Sequence, residues 1–222
     1  MNKQLDRSNK LRRFLAMTEQ TNCSSGLRMR CHWCSLNNPL YVDYHDQEWG
    51  VPLHDERRLF EMLILEGFQA GLSWECILNK REAFREAFND FDYRKVAKYD
   101  ETKLKALRMD EGIVRNRLKI AAAVVNARVF MDIQKEYGSF DRYIWGFTDG
   151  KTVYEWDKTS SPLSDRISKD LRRHGMKFVG ATIIYSYLQA IGVINSHEEG
   201  CWLRVSGVSM AEPVEVTDRN NN

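Results

Sequence analysis

The chain has 222 residues and a mass of 26.0 kDa, with 43% apolar, 11% aromatic and 29% charged residues and only four prolines. This excludes collagen-like, low-complexity and wholly disordered classes, which bury too little apolar surface to offset the entropy of ordering; the length suits one domain with appended segments. The net charge of +2 hides an asymmetry: residues 1 to 30 hold seven lysines and arginines against Asp6 and Glu19, so the remainder is slightly acidic and a polyanionic partner must be met by local patches.

Residues 1–28 read as a flexible basic extension with one short helix, residues 29–205 as the folded domain, and residues 206–222 as a polar tail ending in Asn220-Asn221-Asn222. Leu11, Phe14 and Leu15 are interrupted by Arg12 and Arg13, so the continuous apolar stretch of a secretory signal is missing. The densest uncharged run, 120–127, falls far short of the roughly 18 residues a membrane span needs. A cytoplasmic protein without membrane contact is expected. Its five cysteines, Cys23, Cys31, Cys34, Cys76 and Cys201, are an odd set for a disulfide framework. Metal binding or plain burial suits them better.

Cys31-His32-Trp33-Cys34 forms a C-x-x-C, but no βαβ pattern follows, which argues against a thioredoxin-like redox pair. Cys31 precedes His45 by fourteen residues, and His197 and Cys201 have the i, i+4 spacing that places two side chains on one face of a helical turn. Two thiolates and two imidazoles suit tetrahedral Zn²⁺, and a shared ion would join the start of the folded region to its end. Burial of the cysteines, with His197 as a surface residue beside Glu198 and Glu199, accounts for the same pattern.

The middle of the chain reads as a mostly α bundle. Apolar residues recur at spacings of three and four in the runs around Leu59, Phe60, Leu63 and Ile64, around Phe84 and Phe88, and around Leu118, Ala121, Ala122 and Val125. In the first run Glu66 follows four consecutive apolar residues, Met62 to Leu65. A carboxylate there is paired, held in a pocket, or solvated beside a helix-ending Gly67, because an uncompensated buried charge costs several kcal/mol. Trp33, Tyr41, Tyr44 and Trp49 upstream and Trp74 downstream supply flat rings. Rings around an acceptor carboxylate make a slot for a flat heterocycle such as a nucleobase, although aromatics are also ordinary core residues.

Further on, 102–108 reads as a helix, Asp110-Glu111-Gly112 as a tight turn in which Gly112 supplies permissive backbone, and 113–120 as the start of the next helix. Free N–H groups at that helix start, with Arg115, Asn116 and Lys119 nearby, offer a phosphate site; a second basic run reaches Lys177. Solvated faces account for such charge runs equally well. Asp149-Gly150, between 144–147 and 153–156, predicts a β-hairpin.

Taken together, Pro39-Leu40-Tyr41 with Tyr44-His45-Asp46-Gln47-Glu48-Trp49-Gly50-Val51-Pro52, then 65–74, 112–120, 177–180 and 192–201, resemble the 3-methyladenine DNA glycosylase I family over roughly residues 29 to 203. The resemblance implies a helix–hairpin–helix glycosylase bundle with one structural Zn²⁺ on Cys31, His45, His197 and Cys201. One extra residue before Pro39, relative to some members, leaves Cys34 as an alternative to Cys31. It further implies Glu66 as the base-contacting carboxylate, with Trp33, Tyr44 and Trp74 stacking and Tyr41 and Trp49 lining the slot. Gln69, Gly71 and Leu72 match a loop that enters the gap left by an extruded nucleotide. Gly112, Arg115, Asn116, Lys119 and Lys177 fall to the DNA backbone. The implied activity is that of a monofunctional hydrolase, a monomer acting on alkylated double-stranded DNA to release 3-methyladenine and leave an abasic site. A non-catalytic damage-sensing module is the rival reading. A glycosylase/lyase with an iron–sulfur cluster is disfavoured because Cys201 stands alone near the C-terminus.

Overall fold

The computed structural model describes residues 28–205, so most of the basic extension, including its expected short helix, and all of the polar tail lie outside the described residues. Ten α-helices can be followed in this part of the chain: α1 (Pro39–Gln47), α2 (Glu56–Gln69), α3 (Trp74–Asn79), α4 (Arg81–Ala87), α5 (Tyr93–Val96), α6 (Glu101–Met109), α7 (Arg117–Tyr137), α8 (Phe140–Trp145), α9 (Pro162–Arg173) and α10 (Ala181–Ala190). Starts are set by side-chain caps. Asp55, Ser73, Asp100 and Asn116 each accept a backbone N–H from the first turn of the helix that follows. Among the described residues no helix is long and apolar enough to cross a membrane.

Helix α2 is the hub, packing against α3, α7, α8 and α10. Every residue from Leu59 to Phe68 is buried, so neither a polar stripe nor a solvent face is left on this stretch. Phe60, Phe130, Phe140 and Tyr93 pack around one side of it, and Phe68 meets Phe84 and Phe88 edge to face around another. Gly67 does not end the helix: it lies inside α2, where an added Cβ would meet Phe178 at 3.6 Å. The reading of Glu66 as a solvated helix-end residue is therefore overturned.

The expected hairpin is absent. Tyr143 to Trp145 belong to α8, residues Gly146–Thr148 form a 3₁₀ turn, and β1 (Val153–Tyr154) pairs in parallel with β2 (Ile194–Asn195) far along the chain. Tyr143, Ile144 and Trp145 are all buried, a helical side-chain set that the Asp149-Gly150 turn signal outweighed in the sequence. The pairing brings the segment after β1 beside the segment after β2.

Two local expectations also change. Residues 113–116 form a loop, and α7 begins at Arg117 with Asn116 as its cap. Gly112 is needed for close approach and not for a left-handed backbone, because a Cβ there would sit 2.9 Å from that of Ala83. Residues 197–201 make a tight turn closed by Cys201 N–H donating to Glu198 O at 3.0 Å, not a helical turn.

Candidate active site and metal centre

Asn38 opens α1 by accepting from Leu40 N–H, with Pro39 in the first turn. The helix then carries Tyr41 and Tyr44 to one cavity and the next residue, His45, to a buried group of cysteines and histidines. Glu66 arrives from the second half of α2, and Trp74 opens α3. These elements gather Trp33, Tyr41, Tyr44, Trp49, Trp74, Glu66 and Gln69 around one cavity of about 990 Å³. Trp33 lies 5.4 Å from Tyr41 and 4.8 Å from Trp49, and Tyr44 lies 5.1 Å from Trp74, between ring centroids.

Glu66 is 3% exposed, and its Oε2 has no hydrogen-bond partner; neither has the buried indole N–H of Trp74. Burial alone pushes the Glu66 carboxyl up to about 8. Burial, with the Glu66 charge next, holds the Tyr44 hydroxyl well above its ordinary value. The site thus holds an acid that is neutral at pH 7 when nothing compensates it, inside a wall of aromatic faces. A cation seated beside it draws it into the ionised form.

The second cluster shares a wall with this cavity. Cys31, His45, His197 and Cys201 are all buried, with their ligand atoms within 4.8 Å of one another, an arrangement that can hold a metal ion. His197 Nδ1 is 3.5 Å from both sulfurs, and His45 Nε2 is 3.5 Å from Cys201 Sγ. The other ring nitrogens are anchored outside the cluster, His45 Nδ1 to Asp46 at 2.8 Å and His197 Nε2 to the Trp49 carbonyl at 3.3 Å. Arg30 holds Asp46 in turn with two bonds, at 2.8 and 2.6 Å, which with help from His45 draw its carboxyl down to about 2. Cys34 is not in this group: its thiol faces the Tyr41 carbonyl at 3.8 Å. The two C-x-x-C cysteines thus have separate environments, which removes the redox reading.

Among the residues expected to meet DNA, Leu72 is 41% exposed on the loop after α2, where Gly71 has φ +80°. Gln69 lines the cavity. Arg115 is exposed and paired with Glu111 at 3.3 Å, and Lys177 is exposed, its backbone clasped by Asn126. Lys119 departs from expectation. It is 8% exposed, and its Nζ donates to the carbonyls of Phe68 (2.8 Å) and Ala70 (2.5 Å), so it ties α7 to the loop after α2 instead of facing a phosphate. The N–H groups expected to be free at the helix start are also taken in part, since Asn116 Oδ1 accepts from Leu118 and Lys119.

The sequence pattern does not point to Trp156, Lys158, Ser186, Gln189, Ser196 and Arg204, which also line the cavity, together with His32, Asp157, Thr159, Glu198 and Glu199. A signal existed for two of them. Ser186 and Gln189 are polar positions three apart in an otherwise apolar α10, a polar stripe on a helix packed into the core.

Helices folded round a core helix that offers a buried acid to a ring-lined cavity define a mostly helical class of protein whose cavity has the shape and chemistry to accept a flat heterocycle. A family model for methyladenine glycosylases matches residues 33–204. The DNA-3-methyladenine glycosylase 1 of Escherichia coli K12 is 45% identical over 178 residues, 78% of this chain and 95% of the relative. The DNA-3-methyladenine glycosylase of Haemophilus influenzae is 37% identical over 183 residues, 80% of this chain and 98% of the relative. A structure of the Staphylococcus aureus 3-methyladenine DNA glycosylase I, described as the structural basis of 3-methyladenine recognition, superposes with a TM-score of 0.74 at 36% identity, covering 78% of this chain and 96% of that one. The chain belongs to the methyladenine glycosylase family.

Proposed function

We propose that this protein excises N3-methyladenine from alkylated double-stranded DNA, rotating the damaged nucleotide out of the stack and hydrolysing its N-glycosidic bond to leave an abasic site. The observation that carries this reading is the unpartnered, buried Glu66 carboxyl in its aromatic cavity. N3-alkylation makes the base a cation. Adenine in DNA is neutral, so only the alkylated base repays the cost of ionising Glu66, through a charge-assisted hydrogen bond and through stacking against rings whose faces are negative. A methylated base also pairs poorly and costs less to unstack.

The chemistry asks little of general acids. As the bond between the sugar carbon and the base nitrogen breaks, its electron pair returns to the base and cancels the positive charge. Water forms the new bond to the sugar carbon and loses a proton to solvent, and the products are neutral 3-methyladenine and an abasic sugar. Glu66 orients the cation and steadies its charge; Tyr44, Trp33 and Trp74 hold its plane, with Tyr41 and Trp49 closing the slot. Leu72, exposed on the loop with Gln69 and Gly71, fills the vacated gap in the duplex in this reading. Gly112, Arg115, Asn116 and Lys177 are assigned to the backbone, with binding as a monomer.

A single Zn²⁺ suits the Cys₂His₂ group. Tetrahedral zinc with bonds of about 2.3 Å to sulfur and 2.0 Å to nitrogen requires S···N edges of about 3.5 Å, the separation found at three edges here. The carboxylate and carbonyl anchors on the two rings are the outer contacts such a site uses. The ion would supply structure: it ties 31 and 45 to 197 and 201, behind the cavity wall. Reduced thiols of this kind fit a cytoplasmic setting.

Incubating the protein with methylated duplex DNA and chromatographing the released bases tests the activity. Free 3-methyladenine is the expected product; its retention in the polymer, where a control glycosylase frees it, refutes the reading.

A further inference from the structure

The cavity is larger than one base requires, and its lining has two sources. The Glu66 slot comes from residues 33–74, whereas Trp156, Lys158 and Arg204 come from the segments after β1 and β2. The parallel pairing Val153↔Ile194 and Tyr154↔Asn195, continued by Glu155 N–H donating to Asn195 O at 3.2 Å, sets those segments side by side. Trp156 is then fixed twice. Its indole N–H donates to the His197 carbonyl at 2.9 Å, and the Arg204 guanidinium lies 4.2 Å above its ring centroid.

We infer that Arg204, stacked on Trp156 and assisted by Lys158, holds the phosphate of the nucleotide whose base enters the Glu66 slot, with the indole packing against its sugar. The inference rests on the glycosylase reading and assigns it a backbone-binding subsite. A guanidinium lying over a ring makes no hydrogen bond to it and keeps N–H donors available, and these match phosphate oxygens in a fork. Among the described residues no carboxylate lies within ion-pairing distance of Arg204, whereas Lys158 reaches Glu155 at 3.3 Å. Arg204 and Lys158 are the arginine and lysine of the lining. Of the acids that share this side of the cavity, Glu198 already accepts from the backbone N–H of His32 at 2.6 Å, and Asp157 and Glu199 are exposed, where solvent screens them. Asp157, at φ +57°, turns the chain between Trp156 and Lys158.

The test is binding to a duplex with a stable abasic-site analogue over a range of salt concentrations, alongside binding of free 3-methyladenine. Arg204→Ala should weaken duplex binding about tenfold at low salt and reduce the slope of log affinity against log salt by about 0.9, the share of one phosphate. Free-base binding should stay at the wild-type level. Arg204→Lys should restore the slope while recovering only part of the affinity, since it returns the charge without the fork. A folded Arg204→Ala protein with wild-type slope and affinity overturns the inference, as does a parallel loss of free-base binding, which would put Arg204 in the base slot. If Arg204→Ala does not fold, Lys158→Ala decides the matter: a reduced slope there supports the subsite, and a wild-type slope rejects it. Abasic-duplex binding needs no excision, so a protein that released no 3-methyladenine would fail the glycosylase reading while the salt slope still judged the subsite.

Discussion

Helix α2 buries two carboxylates five residues apart, and their surroundings are opposite. Glu61, 4% exposed, accepts from Arg81 Nε at 2.7 Å and Arg85 Nε at 2.8 Å, while Arg81 also grips Glu48 with two bonds, at 2.7 and 2.9 Å. Glu66, no more exposed, has burial and nothing to offset it. The first acid is a tie between α1, α2 and α4, complete in itself. The second is an unfinished interaction, and the function proposed above completes it with the cationic base. Helical periodicity alone does not separate the two, because both lie within the same buried run.

That contrast is sharpest under substitution. Glu66→Gln should cut excision by about 10² to 10³-fold, because the amide cannot answer the charge of the base. It should also stabilise the fold by about 1–3 kcal/mol at pH 7, since a buried carboxyl near its ionisation point gives way to a neutral group. Glu61→Gln should destabilise by about 3–5 kcal/mol, leaving Arg81 and Arg85 without their shared acceptor, with excision per folded molecule nearly intact. Denaturant melts with base-release rates read both axes. A destabilised Glu66→Gln protein would erase the distinction.

The metal group gives the next largest effect. Cys201→Ser should lose the metal, about one equivalent of zinc per chain by elemental analysis in the parent protein, and about 3 kcal/mol of stability. Excision should fall by more than the unfolded fraction explains, because Trp49 both lines the cavity and packs 4.7 Å from His197. Trp74→Ala removes one stacking face and should cost about 1–3 kcal/mol of base affinity, read by titrating free 3-methyladenine.

Much of this site was legible in the sequence because its chemistry is carried by residue type. Cys31, His45, His197 and Cys201 are residue types that can ligate a metal, and the fold brings their ligand atoms within 4.8 Å of one another; Glu66 among rings is an oddity in any helix. What could not be read depends on tertiary contacts. The Asp149-Gly150 signal describes a local turn correctly, but the strand after it finds its partner some forty residues later, so no hairpin forms and Trp156 becomes a cavity wall instead of a strand residue. Lys119 shows the converse. Its charge suggested a phosphate, and only the fold reveals that the ends of α2 and its loop present two carbonyls for it to close. Gly112 does lie in the turn, but the constraint on it comes from Ala83 on α4, a contact the sequence does not show.

The subtlest way to probe Glu66 is pH. Its folded value of about 8 lies above the ordinary carboxyl value of about 4.5, so the folded state holds this proton more tightly than the unfolded chain does. The resulting stability is fully present below about pH 4.5 and is lost as pH rises toward 8. Binding of the cationic base runs the other way, because it requires the ionised carboxylate and expels the proton. Excision measured as kcat/KM should therefore rise about fivefold between pH 7 and 8 and about twofold more before levelling off above about pH 9, while the contribution of this group to stability falls over the same interval. Glu66→Gln should flatten both curves, whereas Glu61→Gln should leave the rise in excision unchanged. Were activity to level off near pH 5 in the parent protein, the carboxyl would be ionised in the free enzyme, and the difference between the two acids of α2 would reduce to one of position.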